Sequence, residues 1–214
     1  MCNRFRSIKE WSQIPRQLHS GPRVNFEFNP NVAPTETVPV LIAGNGLVIA
    51  RFGINRISAG GKPRPPLLNA RTDGIRKGQF RTHLKKQRCV IPADGFYEWR
   101  EEDGKQPYYL SRKNGKPLML AGIWEEAEYK DDKRIAFAIL TEEPNELVAS
   151  YHDRMPLVLA DDKVALWLDL SQESPLERDL LLDLKEFTVR PMDRAMNNAR
   201  QKDLAAFDPE AAAA

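Results

Sequence analysis

Cys2 has the most chemistry to offer in this chain of 214 residues. Removal of an initiator Met, common where a small residue follows, leaves Cys2 with a thiol and a free α-amine on neighbouring carbons. Their reference pKa values, about 8.5 and about 7.7–8.0, keep both partly nucleophilic near neutral pH. Such a 1,2-aminothiol condenses with an aldehyde: the amine gives an imine, and the thiol closes on it as a five-membered thiazolidine. The same pair can also act as an N-terminal nucleophile hydrolase, with the amine as base for the thiol. Position alone does not choose between these chemistries and a chance cysteine. Cys89, in the apolar run RCVIP, reads as a buried structural thiol. There is no CxxC, no histidine pair at metal spacing and no glycine-rich phosphate loop, so no metal site, nucleotide site or other cofactor is expected.

Among the carboxylates, Glu98 stands out because it lies in ADGFYEWR, between Tyr97 and Trp99. In an aromatic strand its pKa would be raised by desolvation, unless the side chain points to solvent with Arg100; Phe96 on the same face leaves both readings open. Of three histidines, His19 and His83 read as solvated. His152 in YHDRMP, flanked by Asp153 and Arg154, is the acid–base candidate. Asn69 and Arg71 alternate in LLNAR and share a strand face. Arg4 stands two residues from Cys2, where a guanidinium can hold a phosphate or carboxylate.

These residues need elements to position them. The spacing of Phe5, Ile8, Trp11 and Ile14 predicts an amphipathic helix over 5–18, broken at Pro15. Residues 39–52 read as a hairpin about Gly44-Asn45-Gly46, and AGGKPRPP (59–66) as a loop leading into a strand at 67–71. A basic helix is expected in 74–86. Strands follow at 89–92 and 96–100, separated by a turn at Gly95, then at 108–112, 118–124 and 135–141. A short helix at 145–150, strands at 156–160 and 186–190, and a helix at 175–184 complete the pattern. Short strands at hairpin spacing with few helices imply an α+β fold, a single compact domain on antiparallel sheet curled toward a barrel. The domain is expected over 1–207, with 208–214 a frayed Ala-rich tail.

Composition narrows the classes. With 42% hydrophobic and 29% charged residues the chain can bury a core; disordered, collagen-like and disulfide-scaffold classes are excluded. No apolar run is long enough to span a bilayer, and the charged start is no signal peptide, so a soluble, intracellular protein is expected. The net charge of +2 conceals a split: residues 1–100 hold 17 Lys/Arg against 6 Asp/Glu, and the remainder 15 against 24. Such asymmetry marks either an anionic partner or two faces that attract within one fold.

Together the motifs resemble the SRAP (SOS response-associated peptidase) family. The stretches that carry the resemblance are MCNRF (1–5), NVAPTETVPV (31–40), LLNAR (67–71), RCVIPADGFYEWR (88–100), LAGIWE (120–125) and FAILTEEPNELVASYHDRMPLVL (137–159). The resemblance implies a distorted antiparallel barrel and covalent attachment to abasic sites in single-stranded DNA, near a single-strand/duplex junction. By position, Cys2 is then the nucleophile, with Asn69, Glu98 and His152 as its catalytic companions. Arg4, Arg71 and Arg154, with Pro34, Phe52 and Thr141, are implied to contact the DNA. The partner is abasic DNA, the protein a monomer, and the location the bacterial cytoplasm and nucleoid or the eukaryotic nucleus. Abasic-site lyase activity is a possible companion to crosslinking. A cysteine peptidase acting through Cys2, or a noncovalent binder of modified bases, remain the alternatives. Two departures stand out: Asn3 replaces the family's usual Gly, and Phe52-Gly53 replaces Trp-Gly.

Overall fold

The computed structural model describes residues 2–18, 24–129, 132–172, 176 and 180–203. The strands and helices in chain order are β1 (Phe5–Ser7), β2 (Thr37–Ile42), β3 (Gly46–Phe52), β4 (Ile54–Ile57), β5 (Pro63–Leu67), β6 (Asn69–Arg71), α1 (Arg81–Lys86), β7 (Arg88–Arg100), β8 (Gln106–Arg112), β9 (Leu118–Tyr129), β10 (Asp132–Glu142), α2 (Glu146–Ala149), β11 (Met155–Pro156), β12 (Val158–Leu159), α3 (Val164–Leu168) and β13 (Phe187–Pro191). Strands β7, β2, β3, β10 and β9 pair in that order, and β9 pairs back onto β7, closing a five-strand barrel. All these pairings are antiparallel except β3–β10.

Period-two alternation divides the core. Val38, Val40, Ile91, Leu120, Phe137 and Ile139 pack with Cys2 and Phe5. Their chain neighbours Leu41, Val90, Ala121, Ala136 and Ala138 face the other way, beneath Leu84 of α1 and Trp167 of α3. Helices can cover only the outside of so narrow a ring, so the first set fills its interior. Gly122 is required there: a Cβ would stand 2.7 Å from Ile91 Cδ1 and 2.8 Å from the Ala138 carbonyl.

Several expectations change. The predicted helix over 5–18 is strand β1 followed by two 3₁₀ turns, Trp11–Gln13 and Arg16–Leu18. Val32 donates to the Phe5 carbonyl at 2.7 Å and Tyr97 to that of Arg4 at 3.0 Å. These long-range bonds hold the backbone extended against its helical spacing. The 59–66 loop instead contributes β5, paired with β4. Its prolines are tolerated because a two-stranded ribbon leaves one edge without partners. No turn interrupts β7 at Gly95; that glycine admits the Tyr109 ring and the Leu110 carbonyl, each 2.5 Å from where a Cβ would sit. The basic helix shrinks to α1. His83 is not solvated but lies 3.2 Å from Glu125. Of the helix predicted at 175–184, residues 175 and 177–179 lie outside the described residues; in the rest Leu181 makes an isolated antiparallel bridge to Leu159, and a 3₁₀ turn starts at Leu184. His19 and the 208–214 tail also lie outside them. Among the described residues, no helix is long and apolar enough to cross a membrane.

Candidate active site

β1 pairs antiparallel with β7, Phe5 opposite Phe96. The bond from Tyr97 N–H to the Arg4 carbonyl continues that register, which brings residues 2 and 3 alongside Glu98 and Trp99. Cys2 is fully buried. Burial raises its thiol pKa well above the ordinary value; the nearby Glu98 carboxylate raises it further, and the amino-terminal charge opposes both. Glu98 is only 2% exposed, which settles the question its strand alternation left open. Desolvation lifts its carboxyl to about 7, against the pull of the amino terminus and with help from Asp153. Near neutrality this group holds its proton about half the time, so it can both give and take one.

His152 follows α2, whose first turn is capped by the Asn145 side chain accepting from Val148 N–H at 2.8 Å. The turn ends with His152 N–H on the Val148 carbonyl at 3.0 Å. Its Nδ1 accepts from Arg154 N–H at 3.0 Å and lies 2.7 Å from Asp153 Oδ1, two roles that require opposite protonation of that nitrogen. Desolvation, then the amino-terminal charge, lowers the His152 pKa against the influence of Asp153. The neutral ring therefore dominates at pH 7, and either tautomer satisfies one of the two Nδ1 contacts: Nδ1 accepting from Arg154 N–H, or Nδ1–H donating to Asp153.

β6 runs parallel to β10, Asn69 beside Ile139 and Arg71 beside Thr141. Asn69 Nδ2 donates to Asn3 Oδ1 at 2.7 Å, so the side chain that departs from the family pattern fastens the amino-terminal segment to β6. Asn69 Oδ1 is buried without a hydrogen-bond partner among the described residues. Glu98, His152, Asn3, Arg4, Pro34 and Trp99 line one open cleft of about 850 Å³. Cys2, covered beneath it, is not among the lining residues.

The implied DNA contacts divide. Arg4 borders the cleft, but its guanidinium is engaged by Asn31 Oδ1 at 2.8 and 2.6 Å and by the Met196 carbonyl at 3.1 Å. Arg71 and Arg154 converge elsewhere, on Asp73, at 3.1 and 2.8 Å. Arg154 also donates to the Thr141 carbonyl at 2.6 Å, and the Thr141 hydroxyl beside it is buried and unpaired among the described residues. Phe52 requires correction. It is wholly buried, stacked on Phe137 at 5.3 Å and edge-on to Phe5 at 5.4 Å, and so presents no face to a base. As the last residue of β3 it points into the barrel, which a single chain position could not reveal.

A family model for SOS response associated peptidase (SRAP) matches residues 1–199. The chain belongs to the SRAP family. Abasic site processing protein YoqW of Bacillus subtilis is 32% identical over 82% of this chain and 83% of its own length. Abasic site processing protein YoaM, from the same organism, is 30% identical over 98% of this chain and 99% of its own. A crystal structure from Bordetella bronchiseptica superposes with a TM-score of 0.74 at 22% identity, covering 90% of this chain and all of that one, a likeness of fold.

The tertiary structure adds residues to this SRAP site that sequence reasoning missed. Trp99 Nε1 donates to Asn197 Oδ1 at 2.6 Å, which carries the segment after β13 to the cleft rim. Arg4 lies over the Trp99 ring, 5.6 Å from its centroid. Asp73, bridging two arginines, gave no sequence signal beyond its place two residues after Arg71. Asn31 opens the NVAPTETVPV stretch, but nothing in the sequence joins it to Arg4, 27 positions away.

Proposed function

We propose that this protein processes abasic sites in single-stranded DNA, forming a covalent thiazolidine through Cys2. The observation that carries this reading is a buried carboxyl poised at about 7, that of Glu98, next to the only residue that can offer an aminothiol. The relatives named abasic site processing proteins support the substrate class.

The chemistry uses this chain's own groups. The ring-opened abasic sugar presents a C1′ aldehyde. With Met1 removed, the Cys2 amine adds to that carbon and expels its oxygen as water, leaving an imine. The thiol then adds to the imine carbon, and its proton passes to nitrogen; the net loss is one water. Glu98 takes the proton from the ammonium and returns it to the departing hydroxyl, a role suited to a carboxyl near neutrality. His152 exchanges a proton with the sugar O4′ through Nε2 as the ring opens. The unpaired Asn69 oxygen accepts from the amine and orients it. Arg71, Arg154 and Thr141 hold the backbone, with a phosphate displacing Asp73. The protein acts as a monomer.

The test is incubation with an abasic single-stranded oligonucleotide, read by denaturing gel and intact mass. A heat-stable adduct of protein lacking Met1 plus DNA minus one water is expected. Cys2→Ala should abolish it and leave noncovalent binding within about twofold, because the substitution removes no charge. An adduct persisting in Cys2→Ala overturns the proposal, and so does peptide hydrolysis with no DNA adduct.

A further inference from the structure

We infer that Tyr151 and Tyr108 are positioning residues, whose packed rings clasp the turn of His152 to the strand pair that carries Glu98. This rests on the proposed function for the reaction the two groups serve, though not for the contact itself. The ring centroids lie 4.6 Å apart with the planes at 55°. One ring comes from the strand facing Glu98, the other from the residue just before His152. The contact therefore joins the two elements that supply the acid–base groups of the cleft.

On the strand side, β7 is flanked by β1 along one edge and by β8 along the other. Tyr108 stands directly opposite Glu98 in the β7–β8 register, so their side chains share a face. The Tyr108 hydroxyl donates to Asp103 Oδ2 at 3.0 Å, and Arg100 lies 3.6 Å from the same oxygen. The tip of the ring is thus fastened to the turn that joins β7 to β8. On the other side, the His152 turn is fixed at its ends. Val148 lies in the core, and Arg154 donates to the Thr141 carbonyl. Between them the Val148 carbonyl accepts from Tyr151 N–H at 2.8 Å and from His152 N–H at 3.0 Å, which keeps the two residues in one tight bend. The Tyr151 ring ties that bend sideways to β8 and forms part of the cleft wall.

The same turn governs the surroundings of Glu98. Asp153, two residues beyond Tyr151, is close enough to help hold the proton on Glu98. Rings packed on this side keep water from the carboxyl, as the amino-terminal segment does on the other. The charged and titratable groups about Glu98 are the amino terminus and Cys2 thiol, Asp153 and His152 from the turn, Tyr108 from β8 and Arg100 on its own strand face. Those about His152 are the amino terminus, Asp153 and Arg154. Replacing Tyr151 removes none of these charges, so a change in either titration reports packing and position.

The experiment compares Tyr151→Ala, Tyr151→Phe and Tyr108→Leu with the parent. NMR signals of the Glu98 carboxyl and the His152 ring follow both titrations in the free protein, without DNA. In Tyr151→Ala the Glu98 titration should fall from about 7 toward the usual carboxylate range. That of His152 should rise toward the ordinary histidine value as the ring gains water. Tyr151→Phe should keep both, because the ring and not the hydroxyl makes the contact. Tyr108→Leu retains apolar volume in β8 and should move both as Tyr151→Ala does, which keeps the test open if the alanine variant folds poorly. Unmoved titrations in the variants lacking a ring, or a Phe variant that behaves like Ala, overturn the inference. A second arm follows single-turnover adduct formation on the abasic oligonucleotide. Tyr151→Ala should react about tenfold more slowly, with affinity for an undamaged strand within about twofold. Weaker affinity at an unchanged rate overturns the inference, since that marks a DNA contact. A parent that forms no adduct refutes the proposed function, while the titrations still decide the clasp.

Discussion

Glu98 is the residue whose environment reaches furthest into measurable behaviour. Its folded carboxyl titrates at about 7 because burial disfavours the charge, against 4.5 for the free group. The folded state therefore binds a proton that the unfolded state has released over this interval. The stability this contributes is fully present below about 4.5 and is lost as pH rises through about 7, a swing on the order of 3 kcal/mol. Glu98→Gln removes the ionisation. Urea unfolding of both proteins at about pH 4.5, 6 and 8 should show the variant gaining on the parent as pH rises. Parallel curves would mean that the carboxyl is not desolvated. The local sequence nominated Glu98 but left its face undecided, since Phe96 and Arg100 alternate with it. Its burial came from β1 laid across β7, an event ninety residues away in the chain.

At the scale of elements, β7 and β8 show how a misread glycine changes the account of a strand. Gly95 suggested a turn, yet β7 runs unbroken from Arg88 to Arg100 and pairs with β8 as Gly95 opposite Ser111. The glycine is there for close approach rather than curvature. Gly95→Ala would place a methyl 2.5 Å from the Leu110 carbonyl, which is backbone and cannot swing aside. A loss of about 2–4 kcal/mol is expected in chemical denaturation, with β7 shifted toward the cleft. A loss below about 0.5 kcal/mol would show that the strands can separate freely. The hairpin at 39–52 and the short helix after Asn145 were legible because glycine turns and an Asx cap act within four residues. The first helix was not. Spacing of three suits a helix and a pair of 3₁₀ turns alike, and the bonds that chose between them come from Val32 and Tyr97.

On the scale of the whole molecule, Arg88 ties the outer helices to the barrel. It is completely buried, and it donates to the carbonyls of Trp167 at 2.6 Å, Leu84 at 2.9 Å and Asp169 at 2.5 Å. These are the free carbonyl ends of α1 and α3, so one guanidinium closes two helices against the ring. Arg88→Met fills similar volume but leaves those carbonyls buried and unpaired, and a destabilisation of about 3–5 kcal/mol is expected. Arg88→Lys should recover only part, since one ammonium cannot reproduce the fork. Equal thermal midpoints for Arg88→Met and parent would show the bonds to be dispensable. Sequence by itself determined the family, the α+β class and the candidates Cys2, Asn69, Glu98 and His152, because fixed motifs, turn residues and alternation are local signals. Tertiary structure decided that Glu98 is buried, that Asn3 reaches Asn69, that Phe52 belongs to the core and that Tyr108 stands opposite Glu98. Each of these depends on which strand lies beside which, and pairing is a property of the closed ring that no short window of sequence contains.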